Sequence, residues 1–219
     1  MYVRTANIND IQYADELCIW YEESAKQRKT GIAKRDPIYI RKKMETENAI
    51  IAFDDDGLIA GFSYIETYED EKFVVNSGLI VRPDMRDSGI GRKIKMSIFK
   101  LSRTKFPNAK IFSITTSLAV MKMNYNLGYK PVTFSEITQS EDFWKGCQGC
   151  KNHDILMENE RKMCLCTGLV YDNLNDQFAQ SKSKQIELEL QSFRENIEMN
   201  KYSSILNFFT KKSKKKPEN

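Results

Sequence analysis

Leu79 to Ile94 reads LIVRPDMRDSGIGRKI. An apolar run closes at Arg82-Pro83-Asp84, Gly89 and Gly91 follow one residue apart, and Ile90, Ile94, Ile98 and Leu101 then recur at helical spacing. The pattern predicts a strand, a tight turn and a helix from Gly89 to Lys105. Glycine costs backbone entropy, so two glycines at the mouth of a helix need a reason. A strand that feeds a helix through such a turn leaves amide N–H groups pointing at one spot, with the positive end of the helix behind them. That is an anion site best suited to phosphate, and a Cβ would block the approach. Arg86 and Arg92 add charge for a diphosphate. The plainer alternative is a glycine-containing helix start with surface arginines. The chain has no G-x-x-x-x-G-K-[ST], and Arg-Lys-Ile after Gly91 leaves G-x-G-x-x-G incomplete.

Upstream, YVRTA (2–6) alternates like a short strand. Residues 10–27 place Ile11, Ala14, Leu17, Cys18 and Tyr21 on one helical face, with Asp10 as the expected N-cap. RKTGIAKRDP (28–37) reads as a loop, and Pro37 suits the first turn of a helix over 36–47. AIIAF (49–53) and LIAGFSYIETY (58–68) flank DDDG, a hairpin signal, and KFVVNSGLIV (72–81) is a further apolar strand. Downstream come a strand at 109–116, a helix at 118–127 stopped by Gly128, and a strand at 130–138. Strand, turn, helix and strand across 72–116 form a βαβ unit, which makes two strands parallel. The fold class is therefore α/β, a mixed sheet with flanking helices.

Residues 140–166 are a Cys-rich insertion before a last strand at 164–172. Residues 1–172 are expected to form one domain and 173–219 an extension, linker-like over 173–184 and helical by pattern over 185–209. That helix can pack on the domain itself or serve as a homodimer arm. The net charge of +4 owes much to the lysine run 211–216, which makes nucleic acid an unexpected partner. No apolar run approaches the length of a membrane span, and the first residues show no signal-peptide pattern, so the cytoplasm is the expected compartment. In a reducing compartment Cys147, Cys150, Cys164 and Cys166 suggest one structural zinc ion, with His153 as a substitute ligand. Reduced buried thiols or a dithiol–disulfide pair are the alternatives.

The run 79–94 resembles the coenzyme A motif of the GNAT N-acyltransferases, R/Q-x-x-G-x-G/A after a V-x-P turn, with Arg86, Gly89 and Gly91 in its three fixed slots. The order of elements around it is similar to that fold as well. The resemblance implies an acyl-CoA cosubstrate. The backbone of Leu79, Ile80 and Val81 would pair with the pantetheine arm, and the amides of Asp87, Ser88, Gly89, Ile90, Gly91 and Arg92 would hold the pyrophosphate. A second landmark, Y-x-x-L-G-F/Y, reads NYNLGY at 124–129. Asn124 occupies the tyrosine slot and is the candidate to hydrogen-bond pantetheine. Tyr125 sits one place later, about 100° round a helix, as a candidate proton donor to the thiolate or a packing residue.

Acyl transfer to an amine needs a base and donors for the oxyanion. Glu66 shares strand parity with Phe62 and Tyr64 and is the candidate base, with Asn76 and Ser77 lining a water path; a solvent-facing glutamate is the alternative. Arg28, Lys29 and Arg35 would suit a carboxylate-bearing acceptor. GIAKRDP, NSGLIV, LGYKPVTFSE and RKMCLCTGLVYD together resemble a bacterial subgroup associated with arginine biosynthesis, of the N-acetylglutamate synthase kind. This implies acetylation or succinylation of the amine of glutamate or a related amino acid. The contrasting reading is a non-catalytic GNAT-like module whose zinc knuckle and basic tail bind a protein or nucleic acid.

Overall fold

A computed structural model describes residues 1–29, 34–172, 174–182, 184–185 and 187–188. Its strands are β1 (Tyr2–Thr5), β2 (Ala49–Phe53), β3 (Ile59–Tyr68), β4 (Phe73–Val81), β5 (Lys110–Thr115), β6 (Lys130–Val132) and β7 (Thr167–Tyr171). Its helices are α1 (Ala14–Arg28), α2 (Pro37–Glu45), α3 (Ile90–Lys105), α4 (Leu118–Asn126), α5 (Glu141–Lys145) and α6 (His153–Glu158). The seven strands form one sheet in the order β1-β2-β3-β4-β5-β7-β6. Every neighbouring pair is antiparallel except β4 and β5, the two strands joined through α3.

Side-chain alternation divides the core between two faces. Val74, Ile111 and Tyr171 turn toward Ile94, Ile98 and Phe99 of α3 and toward Leu127 at the end of α4. Phe62, Tyr64 and Ile80 turn the other way, against Leu17 and Tyr21 of α1 and Ile40 and Met44 of α2. On that same face Val75, Phe112 and Val170 meet Phe134, Phe143, Trp144 and Leu156 of the insertion. The second face is thus shared, with α1 and α2 over one half of the sheet and the insertion over the other.

Local chemistry accounts for most element ends. Asp36 caps α2 through the Ile38 amide, with Pro37 in the first turn. Asp54 accepts the Asp56 and Leu58 amides in the β2–β3 hairpin. Asp10, expected as the cap of the first helix, has another role. Asn7 caps a 3₁₀ turn over Ile8–Tyr13, and Asp10 closes the capping box from its third position. The buried Asp10 carboxylate also takes both Arg4 guanidinium nitrogens, each at 2.7 Å. The strand expected at 130–138 stops at Val132, because Thr133 and Glu136 form a capping box around a 3₁₀ turn.

The expected linker 173–184 is corrected as well. Residues 177–182 are helical, Ala179 is fully buried in the α3 core, Lys130 pairs with Asp176 at 2.8 Å, and Phe178 meets Tyr125. Asp176, Phe178 and Ala179 are enough to dock an otherwise polar stretch. Most of the helix expected at 185–209, the homodimer arm built on it and the lysine run lie outside the described residues.

The Arg4–Asp10 pair makes the N-terminal corner acid-sensitive. Burial raises the Asp10 pKa, but the hydrogen bonds from Arg4 and the Asn7 amide outweigh it and hold the carboxyl below its usual value. Asp10→Asn should therefore cost about 1–3 kcal/mol at neutral pH. The wild-type advantage is complete above about pH 4 and is lost as pH falls through the lowered folded-state pKa. Thermal melts of both proteins across that range measure it.

Candidate active site

The site begins where two strands part. β4 and β5 share only three rungs, Phe73↔Lys110, Val74↔Ile111 and Val75↔Phe112. From Asn76 onward β4 stays on β3 but shifts register between Phe62 and Tyr64. Gly78, in the left-handed region at φ +62°, lies in this bulge. A Cβ there would stand 2.3 Å from Tyr64 Cε1 and 2.7 Å from Tyr21 Oη. The Tyr21 hydroxyl donates to the Gly78 carbonyl, and Ser63 Oγ donates to the Ser77 carbonyl at 2.9 Å. Beyond the bulge the Arg82 amide bonds the Ala60 carbonyl of β3. Strand alternation then turns the Ile80 amide toward β3 and those of Leu79 and Val81 into the gap beside β5.

The glycine turn sits at the head of this gap. Pro83–Met85 make one 3₁₀ turn, and Asp87 (φ +62°) and Gly89 (φ +85°) are both left-handed. Residues 86–89 are exposed. α3 starts at Ile90 with no side-chain cap, and the Lys93 amide makes the first bond back, to the Gly89 carbonyl. Ser88 Oγ meets the Ile90 amide only at 3.4 Å. The Gly89, Gly91 and Arg92 amides precede the first intrahelical donor and face outward. A Cβ at Gly89 would meet nothing within 4 Å, and one at Gly91 only Val81 Cγ2 at 3.4 Å. Backbone sign explains Gly89, whereas the chain's own packing leaves room for a side chain at Gly91.

Arg82, missed by the sequence reading, anchors the turn. It bonds Asp54 Oδ2 at 2.7 Å, Asp84 Oδ1 at 2.7 Å and the Ile59 carbonyl at 2.8 Å. The arginine before Pro83 is the available signal, although its hairpin partner lies 28 residues upstream.

On the α1/α2 face Glu66 stands opposite Val75, level with the last shared rung. It is half-buried and accepts a hydrogen bond from the Tyr39 hydroxyl. Burial, then the neighbouring Glu66 charge, hold the Tyr39 phenol protonated far above its usual range. Lys43 Nζ lies 4.8 Å from the Tyr39 ring centre and donates to the Ile65 carbonyl. The Arg35 guanidinium lies over the Tyr21 ring at 4.3 Å and near the Tyr64 ring at 5.9 Å. Burial, then repulsion from Arg86 and Arg35, lowers the Arg28 pKa, which places three guanidiniums in one electrostatic neighbourhood. Lys29 ends α1 in the left-handed region and is exposed.

On the α3/α4 face a cavity of about 230 Å³ opens between Arg92, Lys95 and Met96 of α3 and Met123 and Asn126 of α4, with Lys182 on its rim. Asn124, next to Met123 in the sequence, is fully buried, and neither polar atom of its side chain has a hydrogen-bond partner among the described residues. An orphaned buried amide costs about 1–3 kcal/mol per group.

No family model matches the sequence, and no curated protein matches it. Solved structures do match in shape. N-acetylglutamate synthase from Neisseria gonorrhoeae, complexed with coenzyme A and N-acetyl-glutamate, aligns with a TM-score of 0.54 at 16% identity, over 77% of this chain and 34% of that one. The chain therefore spans about a third of the length of that synthase. A Mycobacterium tuberculosis protein in complex with CoA aligns at 0.56 and 14% identity, over 78% and 98%. A GNAT superfamily phosphinothricin acetyltransferase from Sinorhizobium meliloti, in complex with AcCoA, aligns at 0.52 and 14% identity, over 78% and 87%. The chain has the GNAT fold.

Within this GNAT fold the structure separates the two neighbours on α4. Asn124 turns inward and is fully buried, while Tyr125 is 53% exposed and packs on Phe178 with ring centres 5.4 Å apart; neither is among the residues that line the cavity. The one-residue offset rotates the phenol away from the cleft, so proton donation is not assigned to it.

The zinc expectation also needs correction. Among the described residues no three Cys, His, Asp or Glu side chains form a group that could hold a metal ion. Cys164 and Cys166 lie before β7 rather than along it. Cys147, Cys164 and Cys166 pack against the aromatic cluster of the insertion. Burial first, then neighbouring thiols, push Cys147 up to about 11 and Cys166 to about 12. Cys150 and His153 remain near this segment without completing a site. Among the described residues no helix is long and apolar enough to cross a membrane.

Proposed function

We propose that the chain is an acyl-CoA-dependent N-acyltransferase acting on the amine of a carboxylate-bearing small molecule, glutamate or a related amino acid. The observation that carries this reading is the turn 86–92, exposed over 86–89 and without a side-chain cap, at the head of the parted strands β4 and β5. The amides of Asp87 to Arg92 and the side chains of Arg86 and Arg92 hold a diphosphate there. Leu79 and Val81 offer their gap-facing amides to the pantetheine arm, with Ile80 fixing the strand between them, and Asn124 offers an amide that has no other partner among the described residues. The acyl group is acetyl or succinyl. Glu66 receives the proton of the acceptor amine. Arg28, Lys29, Arg35 and Lys43 outnumber Glu66 around the acceptor face, and this positive excess favours a substrate with carboxylates.

Calorimetry with acetyl-CoA tests the cosubstrate, and CoA release with glutamate, compared with an amine lacking carboxylates, tests the acceptor. Binding with release favouring glutamate is expected. Absence of acetyl-CoA binding, with salt-dependent RNA binding in its place, overturns the reading in favour of a binding module.

The two properties of Gly91 can be separated. Gly91→Ala fills space that the chain leaves open and removes glycine's entropic cost in a helix, so stability should rise by up to about 1 kcal/mol. The motif admits alanine in this slot, whereas the larger side chain of Gly91→Val intrudes on the diphosphate, so acetyl-CoA affinity should fall by about tenfold or more in the valine variant, a cost of at least 1.4 kcal/mol. A urea melt of the alanine variant and a titration of the valine variant read the two effects.

A further inference from the structure

We propose that Lys95 is the proton donor to the sulfur of coenzyme A as the acyl group leaves it. The inference rests on the acyltransferase reading above. Lys95 follows Gly91 by one turn of α3 and is 2% exposed. Its Nζ lies 3.4 Å from Asn76 Oδ1 and 5.0 Å from the Tyr129 ring centre. Asn76 is the first β4 residue beyond the last rung shared with β5. Its other contacts are already made: Tyr129 Oη donates to the same Oδ1 at 3.1 Å, and Nδ2 donates to Ser102 Oγ at 2.7 Å. An ammonium with three donors therefore has one long hydrogen bond and a ring face. No carboxylate pairs with it among the described residues. Burying an amine so poorly compensated is expensive, and an apolar side chain would pack there without that cost. Lys95 is also one of the residues that line the cavity between α3 and α4.

The sheet gives the position its meaning. Glu66 and Val75 share one face, and Ile65 and Asn76, the next pair, share the other. Glu66 and Lys95 thus flank the parting of β4 and β5 from opposite sides. Acyl transfer gains from that division, with a base where the amine enters and an acid where the thiol leaves. Asn124, in the slot that the resemblance gives to a phenol, has no proton to yield, and Tyr125 faces outward.

The step balances. The amine nitrogen bonds to the acyl carbon and Glu66 takes its proton. As the C–S bond breaks with its electron pair on sulfur, Lys95 passes a proton to that sulfur, becomes a neutral amine and is recharged from water. Burial lowers the Lys95 pKa to about 7, below an ordinary thiol near about 8.5, so the transfer runs downhill. The titratable groups facing it are Tyr129, Arg92 on its own helix and Lys182 across the cavity. None is anionic at neutral pH.

Lys95→Met provides the test, with Lys95→Gln as a second variant should the methionine protein fail to fold. In wild-type protein without ligand, ¹³Cε-lysine NMR should show one resonance titrating near pH 7, and that resonance should be missing from the variant. Coenzyme A bound to each protein is then titrated by thiolate absorbance. Near pH 7, where Lys95 still carries part of its charge, the bound thiolate fraction should be severalfold higher in wild type than in the variant, and the two should converge above about pH 9, where Lys95 is neutral. Desulfo-coenzyme A, which lacks the sulfur, should bind both proteins within about threefold, or less than 0.7 kcal/mol. A merely structural lysine would weaken both ligands and leave the thiol titration alone. Identical thiol titration in the two proteins overturns the assignment alone. Failure of the wild-type protein to bind desulfo-coenzyme A overturns the acyltransferase reading and the assignment with it.

Discussion

Glu66→Gln is expected to slow acyl transfer by about 10²–10⁴-fold while leaving acetyl-CoA affinity unchanged. The amide keeps the shape of the carboxylate and can still accept from Tyr39, but it cannot take a proton from an amine at neutral pH. Because Glu66 lies on the α1/α2 face and the turn 86–92 lies at the head of the gap, the two functions separate in space. The measurement is kcat with acetyl-CoA and glutamate beside a calorimetric Kd for acetyl-CoA. Tyr39→Phe should have a smaller effect, since it removes a neighbour of the proposed base rather than the base itself. An unchanged rate in Glu66→Gln would remove this residue from the mechanism and leave proton removal to water.

Gly78→Ala is expected to cost about 3 kcal/mol or more of folding stability, from a left-handed backbone and an overpacked core together. Its Cβ would overlap the Tyr64 ring at 2.3 Å and crowd the Tyr21 hydroxyl at 2.7 Å, and both rings lie in the α1/α2 core. Gly57→Ala supplies the control. Gly57 has a similar φ of +79°, yet a Cβ there would meet nothing within 4 Å, so only the backbone penalty of about 1–2 kcal/mol applies. Urea unfolding of the two variants gives the difference. If Gly78→Ala costs no more than Gly57→Ala, the tyrosines do not lock the bulge.

The glycine turn is legible because few residue types can make that backbone, and Arg86, Gly89 and Gly91 announce it within six positions. The face on which Glu66 stands is legible for a similar reason, since strand parity is local information. Gly78 is harder. An isolated glycine in an apolar strand hints at a bulge, but what locks it is Tyr21, 57 residues away. Lys95 reads as one more basic residue of an amphipathic helix. Its burial depends on Asn76 and Tyr129, brought in by tertiary packing. The 173–184 stretch misleads because composition averages over residues, whereas docking there rests on Phe178 and Ala179. The cysteine spacing suggests a metal, but spacing does not fix direction, and the folded loop turns three of the four thiols toward aromatic rings.

The three rungs between β4 and β5 leave little backbone to join the halves of the sheet, and the Cys-rich segment makes up the shortfall. Phe143 rests on Tyr68 of β3 at 5.4 Å and on Phe112 of β5 at 5.0 Å. Glu69, just past β3, takes the Thr138 hydroxyl at 2.6 Å and the Gln139 amide at 2.8 Å. The segment therefore works as a clasp across the seam, holding the wedge-shaped opening at a set width although so little hydrogen bonding spans its apex.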